Sequence, residues 1–218
     1  VAIFKLKLPE GKHQLTASTE AAEHHRQIEV KFRKNMLKNL PKQPLLINTG
    51  AQVHYTDPVT REVWISDQEY SAGNFGFVGG NEYQKNKSKF QGTASDIQGT
   101  ENDPLFQTMR EAMQAYKFDV EAGDYRISLL FAEPEYNASE ENIYNLSRAQ
   151  KEEIPGLRSF DVSINGKTVS EDLNLARDYG RIRAVEISYL VKAKDGISVE
   201  FKEISGKAIL SGIKLEKL

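Results

Sequence analysis

From Ala115 onward, apolar residues recur at every second position in short runs, and each run ends in a turn. Tyr125, Ile127, Leu129 and Phe131 form one run. Phe160, Val162 and Ile164 form another; Val185, Ile187, Tyr189 and Val191 a third; Ile197, Val199 and Phe201 a fourth. A strand sends successive side chains to opposite faces, so this period makes a ribbon with one apolar face. That face must be covered by another layer. Asn165-Gly166 is the strongest turn signal, because both residues tolerate positive φ, and it predicts a two-residue hairpin loop. Residues 115–120, the turn Glu121-Ala122-Gly123-Asp124 and residues 125–131 read as a second hairpin. Lys194-Asp195-Gly196 and Ser205-Gly206 turn the chain again. Regular short strands of this kind predict an all-β sandwich or jelly roll.

The N-terminal residues behave differently. Ile3, Leu6 and Leu8 lie in a run that ends at Pro9-Glu10-Gly11; residues 13–17 and 27–32 resume it. Three short strands cannot bury a core alone. Residues 1–33 therefore read as the C-terminal strands of a preceding β domain, with an extension of the main domain as the other reading. Residues 34–44, with Lys34, Lys38, Lys42, Pro41 and Pro44, read as a linker, or else as a basic contact surface. The main domain then spans residues 45–218. The chain opens on Val1 without a signal-peptide pattern, as expected of a processed or excised piece. One segment resists the strand reading: Asp103-Pro104 can cap a helix, with Leu105, Met109 and Met113 at i, i+4 and i+8.

Composition narrows the chemistry. Of 218 residues, 39% are hydrophobic and 28% charged, which is ordinary for a globular chain. A net charge of −2 gives no electrostatic reason to expect nucleic acid or an anionic membrane as partner. No apolar run approaches the roughly 18 residues of a spanning helix. Without cysteine there is no disulfide, thiolate metal site or cysteine nucleophile. The histidines at 13, 24, 25 and 54 lack metal-ligand spacing, and no metal or cofactor is expected. The Asn-x-Ser sequons at Asn86, Asn137 and Asn145 read as chance matches.

Catalytic motifs fail in turn. No Gly-x-Ser-x-Gly elbow occurs. Residues 73–80 are glycine-rich, but Gly73 and Gly76 have the wrong spacing for a dinucleotide loop, and no Lys-Ser/Thr follows. Asp67 with Glu69, and Glu133 with Glu135, are the acidic pairs a glycosidase could use, yet such pairs arise easily in an acidic chain. What remains is aromatic and polar residues near turns: Tyr70, Phe75, Phe77, Phe106 and Tyr136. Aromatic rings suit the C–H faces of sugars, and polar groups suit their hydroxyl edges. Of these rings, Phe77 is the one expected in the core.

The motif order resembles a malectin-type domain. Ile47-Asn48-Thr49-Gly50, Trp64-Ile65-Ser66-Asp67 and Asn74-Phe75-Gly76 come first. Pro104 to Arg110 comes next, then residues 125–130 with Phe131-Ala132-Glu133. Arg158-Ser159-Phe160-Asp161-Val162, Ile164-Asn165-Gly166 and Leu210-Ser211-Gly212-Ile213 complete the series. The resemblance implies a jelly-roll-like β-sandwich of the malectin or galactose-binding type. A few strands of a truncated immunoglobulin-like β domain precede it. It also implies a ligand site in loops at one end, where aromatic rings and an aspartate hold a glucose disaccharide. Carried over by position, that site comprises Phe75, Gly76, Phe106, Glu135 and Tyr136. Phe75 and Phe106 stand where the family has tyrosines, and no counterpart to the binding aspartate lies near Ile204-Ser205-Gly206. The family has an extended segment over residues 103–113, so no full helix is expected there.

The wording of residues 103–111 and 206–213 is similar to modules at the C-terminus of family-two glycoside hydrolases of the β-galactosidase type. The resemblance then implies a noncatalytic carbohydrate-binding module, extracytoplasmic, whose partners are an oligo- or polysaccharide and the upstream catalytic domains. The alternative is a purely structural sandwich that packs on its parent enzyme without binding sugar.

Overall fold

The computed structural model describes residues 11–18, 23–30, 44–84, 91–134 and 158–218. Strands β1 (Gly11–Ser18) and β2 (Glu23–Val30) pair antiparallel, from Gly11 opposite Val30 to Ser18 opposite Glu23. The expected first strand near Ile3, the expected linker up to Gln43 and the three sequons lie outside the described residues.

The remaining strands are β3 (Leu45–Asn48), β4 (Tyr55–Thr56), β5 (Val63–Ser66), β6 (Phe75–Glu82), β7 (Arg110–Phe118) and β8 (Gly123–Phe131). They continue with β9 (Ser159–Ile164), β10 (Lys167–Leu173), β11 (Val185–Ala193), β12 (Ile197–Ser205), β13 (Ile209–Leu210) and β14 (Gly212–Lys217). Among the described residues two short helices interrupt them, α1 (Asp103–Gln107) and α2 (Leu175–Asp178). One six-stranded sheet runs β10-β9-β12-β7-β13, with β6 on the other side of β7. The second runs β11-β8-β14-β3-β5-β4. The chain passes from sheet to sheet at β5–β6, β7–β8, β8–β9, β10–β11, β11–β12 and β13–β14, which is the jelly-roll-like winding the alternation and the resemblance predict.

Those inward-facing residues fill the space between the sheets. Tyr125, Ile127, Leu129 and Phe131 of β8 are essentially inaccessible, as are Phe160 and Val162 of β9 and Val199 of β12. Phe160 sits between Phe131 and Phe201, with ring centroids 6.1 and 6.2 Å away. Asn165 and Gly166 adopt φ of 50° and 75°, and close the β9–β10 hairpin as expected.

Two local expectations change, and a third is met. Residues 115–131 do not form a hairpin: β7 and β8 belong to different sheets, and the turn at Glu121 carries the chain across the core. Both sides of β8 are taken by β11 and β14, so it has no edge to offer β7. Only Asp103–Gln107 form a helical turn, and Thr108 then returns to extended backbone, so no full helix forms, as the resemblance implies. Met109, just before β7, and Met113 within it are both buried because a spacing of four also repeats on one face of extended chain. Finally, Phe75 rather than Phe77 is the fully buried ring of β6.

Buried charge locks the end of the sandwich where the motifs meet. Arg110 donates to both oxygens of Asp67, Nε at 2.7 Å and Nη2 at 3.1 Å, with side chains 6% and 2% exposed. Asp67 also accepts the Gly50 N–H at 3.1 Å, and the Arg110 guanidinium lies 3.4 Å from the centroid of Phe77. Gly50 has φ of 72°, and a Cβ there would stand 2.2 Å from the Met109 carbonyl oxygen. The Thr49 hydroxyl donates to the Leu210 carbonyl, and Thr108 to the Asn48 side chain at 2.8 Å. Asp67→Ala leaves the Arg110 charge buried and unpaired. It should lower the unfolding free energy by about 3–5 kcal/mol in urea denaturation. A loss below about 1 kcal/mol would mean the pair contributes no more than an exposed one.

Candidate functional site

A second apolar cluster lies on the outer face of the β8-containing sheet. Leu46, Trp64, Leu130 and Ala132 alternate with core residues, so they point away from the sandwich interior. Ile97, Leu105 and Phe106 cover them. The covering segment is pinned to the sheet edge, where Gln98 donates to the Ile182 carbonyl at 2.8 Å and accepts from Ala184 at 2.9 Å. The single turn of α1, with Pro104 in its first turn, turns Leu105 and Phe106 down onto the cluster.

Beside this cover a cleft of about 360 Å³ opens, at the small end of the range for ligand sites. Trp64, Leu130 and Ala184 supply apolar surface, Phe106 a wall, and Glu186 and Lys214 the charged part of the floor. Asn102 braces the rim: it accepts from the Tyr55 hydroxyl at 2.8 Å and donates to Asp57 at 2.9 Å. Asp57 accepts the N–H groups of Val59 at 2.7 Å and Thr60 at 2.9 Å, an Asx turn. Those bonds, Thr60 first and then Val59, hold its carboxyl below the usual carboxylate range.

Of the expected site residues, Phe75 lies in the main core. It is 2% exposed and stacked on Phe118, with centroids 6.3 Å apart and rings inclined by 20°. Gly76 is where β6 closes on residues 68–70: a Cβ would stand 2.4 Å from the Gln68 carbonyl oxygen. Both are at the Phe118 end of β7, whereas Phe106 precedes its other end, roughly 25 Å along a strand of this length. Phe106 itself lines the cleft but is only 6% exposed, so little of its ring is accessible there. Glu135 and Tyr136 lie outside the described residues. The chain heads toward them from the Phe106 end, since Ala132 belongs to the same cluster as Phe106. There Glu133 accepts from Arg158 at 2.8 Å, with the two side chains 0% and 6% exposed. Asp67 and Glu133, the first members of the two acidic pairs, are therefore each held by a buried arginine.

Sequence reasoning missed Ile97, Asn102, Glu186 and Lys214. Ile97 carried no signal beyond being apolar. Glu186 and Lys214 occupy the polar phase of alternating strands, which every solvent-facing position shares.

Residues 43–213 match the family profile of the malectin domain. The chain belongs to that family. As a malectin domain it also has solved structural relatives. A calcium-binding mutant of Bacteroides uniformis beta-glucuronidase 2 is similar over 100% of this chain and 24% of its own, with 27% identity and a TM-score of 0.69. Bacteroides uniformis beta-glucuronidase in a second structure gives 28% identity and a TM-score of 0.67, again over 100% of this chain and 24% of its own. The ANX1 ectodomain of Arabidopsis thaliana shares the fold alone, with 13% identity and a TM-score of 0.56 over 81% of this chain and 42% of its own. The chain thus spans about a quarter of the length of the glucuronidases it matches. Among curated proteins none matches.

Two outcomes follow from this geometry. Phe75→Ala should cost about 3–5 kcal/mol of stability, as loss of a core ring does, seen in chemical denaturation. A cost under about 1 kcal/mol would place the ring outside the core packing. Asp57→Asn should lower Tm at neutral pH. Because folding lowers the Asp57 pKa, its contribution is present above about pH 4 and is lost as pH falls through the folded value. The Tm gap between wild type and variant should therefore close in acid.

Proposed function

We propose that this chain is the noncatalytic C-terminal part of a family-two type glycoside hydrolase, and that its malectin domain binds carbohydrate. The observation that carries this is membership of the malectin family together with full-length similarity to beta-glucuronidases. Similarity over all 218 residues includes the β1–β2 hairpin, which supports reading residues 1–33 as the end of a preceding β domain and 34–44 as a linker. The family profile begins at residue 43, which supports a domain over 45–218. The parent acts on O-glycosidic bonds. The sequence wording favours a β-galactosidase and the structural similarity a β-glucuronidase. Such an enzyme works on glycans outside the cytoplasm, and its catalytic residues lie upstream of this chain. A tethered binding module raises the local concentration of substrate around the catalytic domain. The sugar site lies at the Phe106 end, with the cleft on the outer sheet face, and Glu135 and Tyr136 remain its candidate residues by motif.

The burial of Phe75 and Phe106 favours a second reading, a sandwich that only completes the shape of its parent enzyme. Calorimetric titration of the chain with galactose- and glucose-containing oligosaccharides separates the two. Binding in the millimolar range, weakened about tenfold by Tyr136→Ala (about 1.4 kcal/mol), is expected. Absence of binding at millimolar glycan, together with misfolding of the parent enzyme when the domain is deleted, would establish the structural role.

A further inference from the structure

We infer that Glu186 and Lys214 form a subsite for an uncharged sugar ring lying across strands β11, β8 and β14 on the outer face of the sheet. The inference rests on the carbohydrate-binding reading and deepens it. It assigns recognition to two strand residues rather than to aromatic loops.

The two side chains share the cleft floor. Glu186 is opposite Leu130 across the β11–β8 ladder, and Lys214 is opposite Ser128 across the β14–β8 ladder. They flank β8 on the same face, offset by two residues. Strand spacing and rise put their backbones on the order of 12 Å apart. Leu130 lies between them, 3% exposed, with Ala184 and the edge of Trp64 alongside.

Among the described residues their charges are unspent. Neither Glu186 nor Lys214 has a hydrogen-bond or ion-pair partner among the described residues, although neighbouring polar groups on this face do. Arg126 pairs with Glu216 at 2.9 Å, and Ser128 shares a 2.6 Å hydrogen bond with Ser188. Asp57 is already held by two backbone N–H groups and Asn102. Beside Glu62, which takes a long 3.4 Å contact from the Thr60 hydroxyl, the cleft leaves Lys214 as donor cation, Glu186 as acceptor carboxylate and a narrow apolar strip.

Neighbouring hydroxyls of a pyranose ring match that set. One hydroxyl accepts from the Lys214 ammonium, the next donates to the Glu186 carboxylate, and the C–H edge lies against the part of Leu130 and Ala184 that lines the cleft. Hydrogen bonds to charged groups are the stronger kind. The cleft lining holds Asp57, Glu62 and Glu186 against Lys214. This excess of negative charge repels a carboxylate-bearing sugar and selects a neutral one.

The test is an amide-resolved NMR titration of the 218-residue chain. Lactose and maltose serve as neutral probes, and a glucuronate-bearing disaccharide as the acidic one. Glu186→Gln and Lys214→Met are the variants; Glu186 is exposed and Lys214 half-buried, so both should fold. Neutral probes should shift amides near Glu186 and Lys214, each variant should weaken binding about tenfold, and the acidic probe should bind at least about tenfold more weakly. Neutral-sugar binding unchanged by both variants, or a preference for the acidic probe, would overturn the subsite while leaving carbohydrate binding intact. No shift with any probe would overturn both.

Discussion

Arg110 and Asp67 make the contact on which the site end of this molecule depends. Two charges are withdrawn from water, and this is tolerable only because each is multiply hydrogen-bonded. Asp67 accepts from both Arg110 nitrogens and from the Gly50 backbone, while the guanidinium covers the Phe77 ring. The pair joins the chain just after β5 to the first residue of β7. The Asn48-Thr49-Gly50 turn is held there too, and through Thr49 it reaches the β13–β14 connection. Glu133 and Arg158 repeat the device, just after β8 and just before β9. Removing either charge would strand its partner in a low-dielectric interior, so these positions govern the geometry of everything built above them.

The apolar residues are divided between two layers. The main core lies between the sheets and absorbs Phe75, Phe118, Phe131 and Phe160. The smaller layer lies outside the second sheet and absorbs Trp64 and Phe106. Rings buried this fully stabilise the fold, but they offer little face to a ligand. In the proposed subsite, recognition therefore falls to polar groups on the sheet surface, with apolar edges as a platform.

Much of the fold was legible from residues alone. Alternation located β8, β9, β11 and β12, and Asn165-Gly166 located its hairpin, because both signals act between near neighbours. The turn at Glu121 was misread as a hairpin because a turn does not state which sheet the next strand joins. Met109 and Met113 were ambiguous because four residues make about one helical turn and also two strand repeats. Of the candidate site, Phe106 was found through its motif. Glu186 and Lys214 were not, since nothing local separates them from ordinary solvent-facing strand residues.

The sequence by itself determined an all-β chain of short strands, a cysteine-free interior and the motif series of a malectin domain. Those properties follow from side-chain period, turn chemistry and residue type. Long-range pairing decided the rest: which strands share a sheet, that Phe75 packs inside, that Asp67 meets Arg110, and that Glu186 and Lys214 flank one strand. Each of these is a contact between residues distant in sequence. Such contacts are set by how two sheets close over a common core rather than by the residues beside them in the chain.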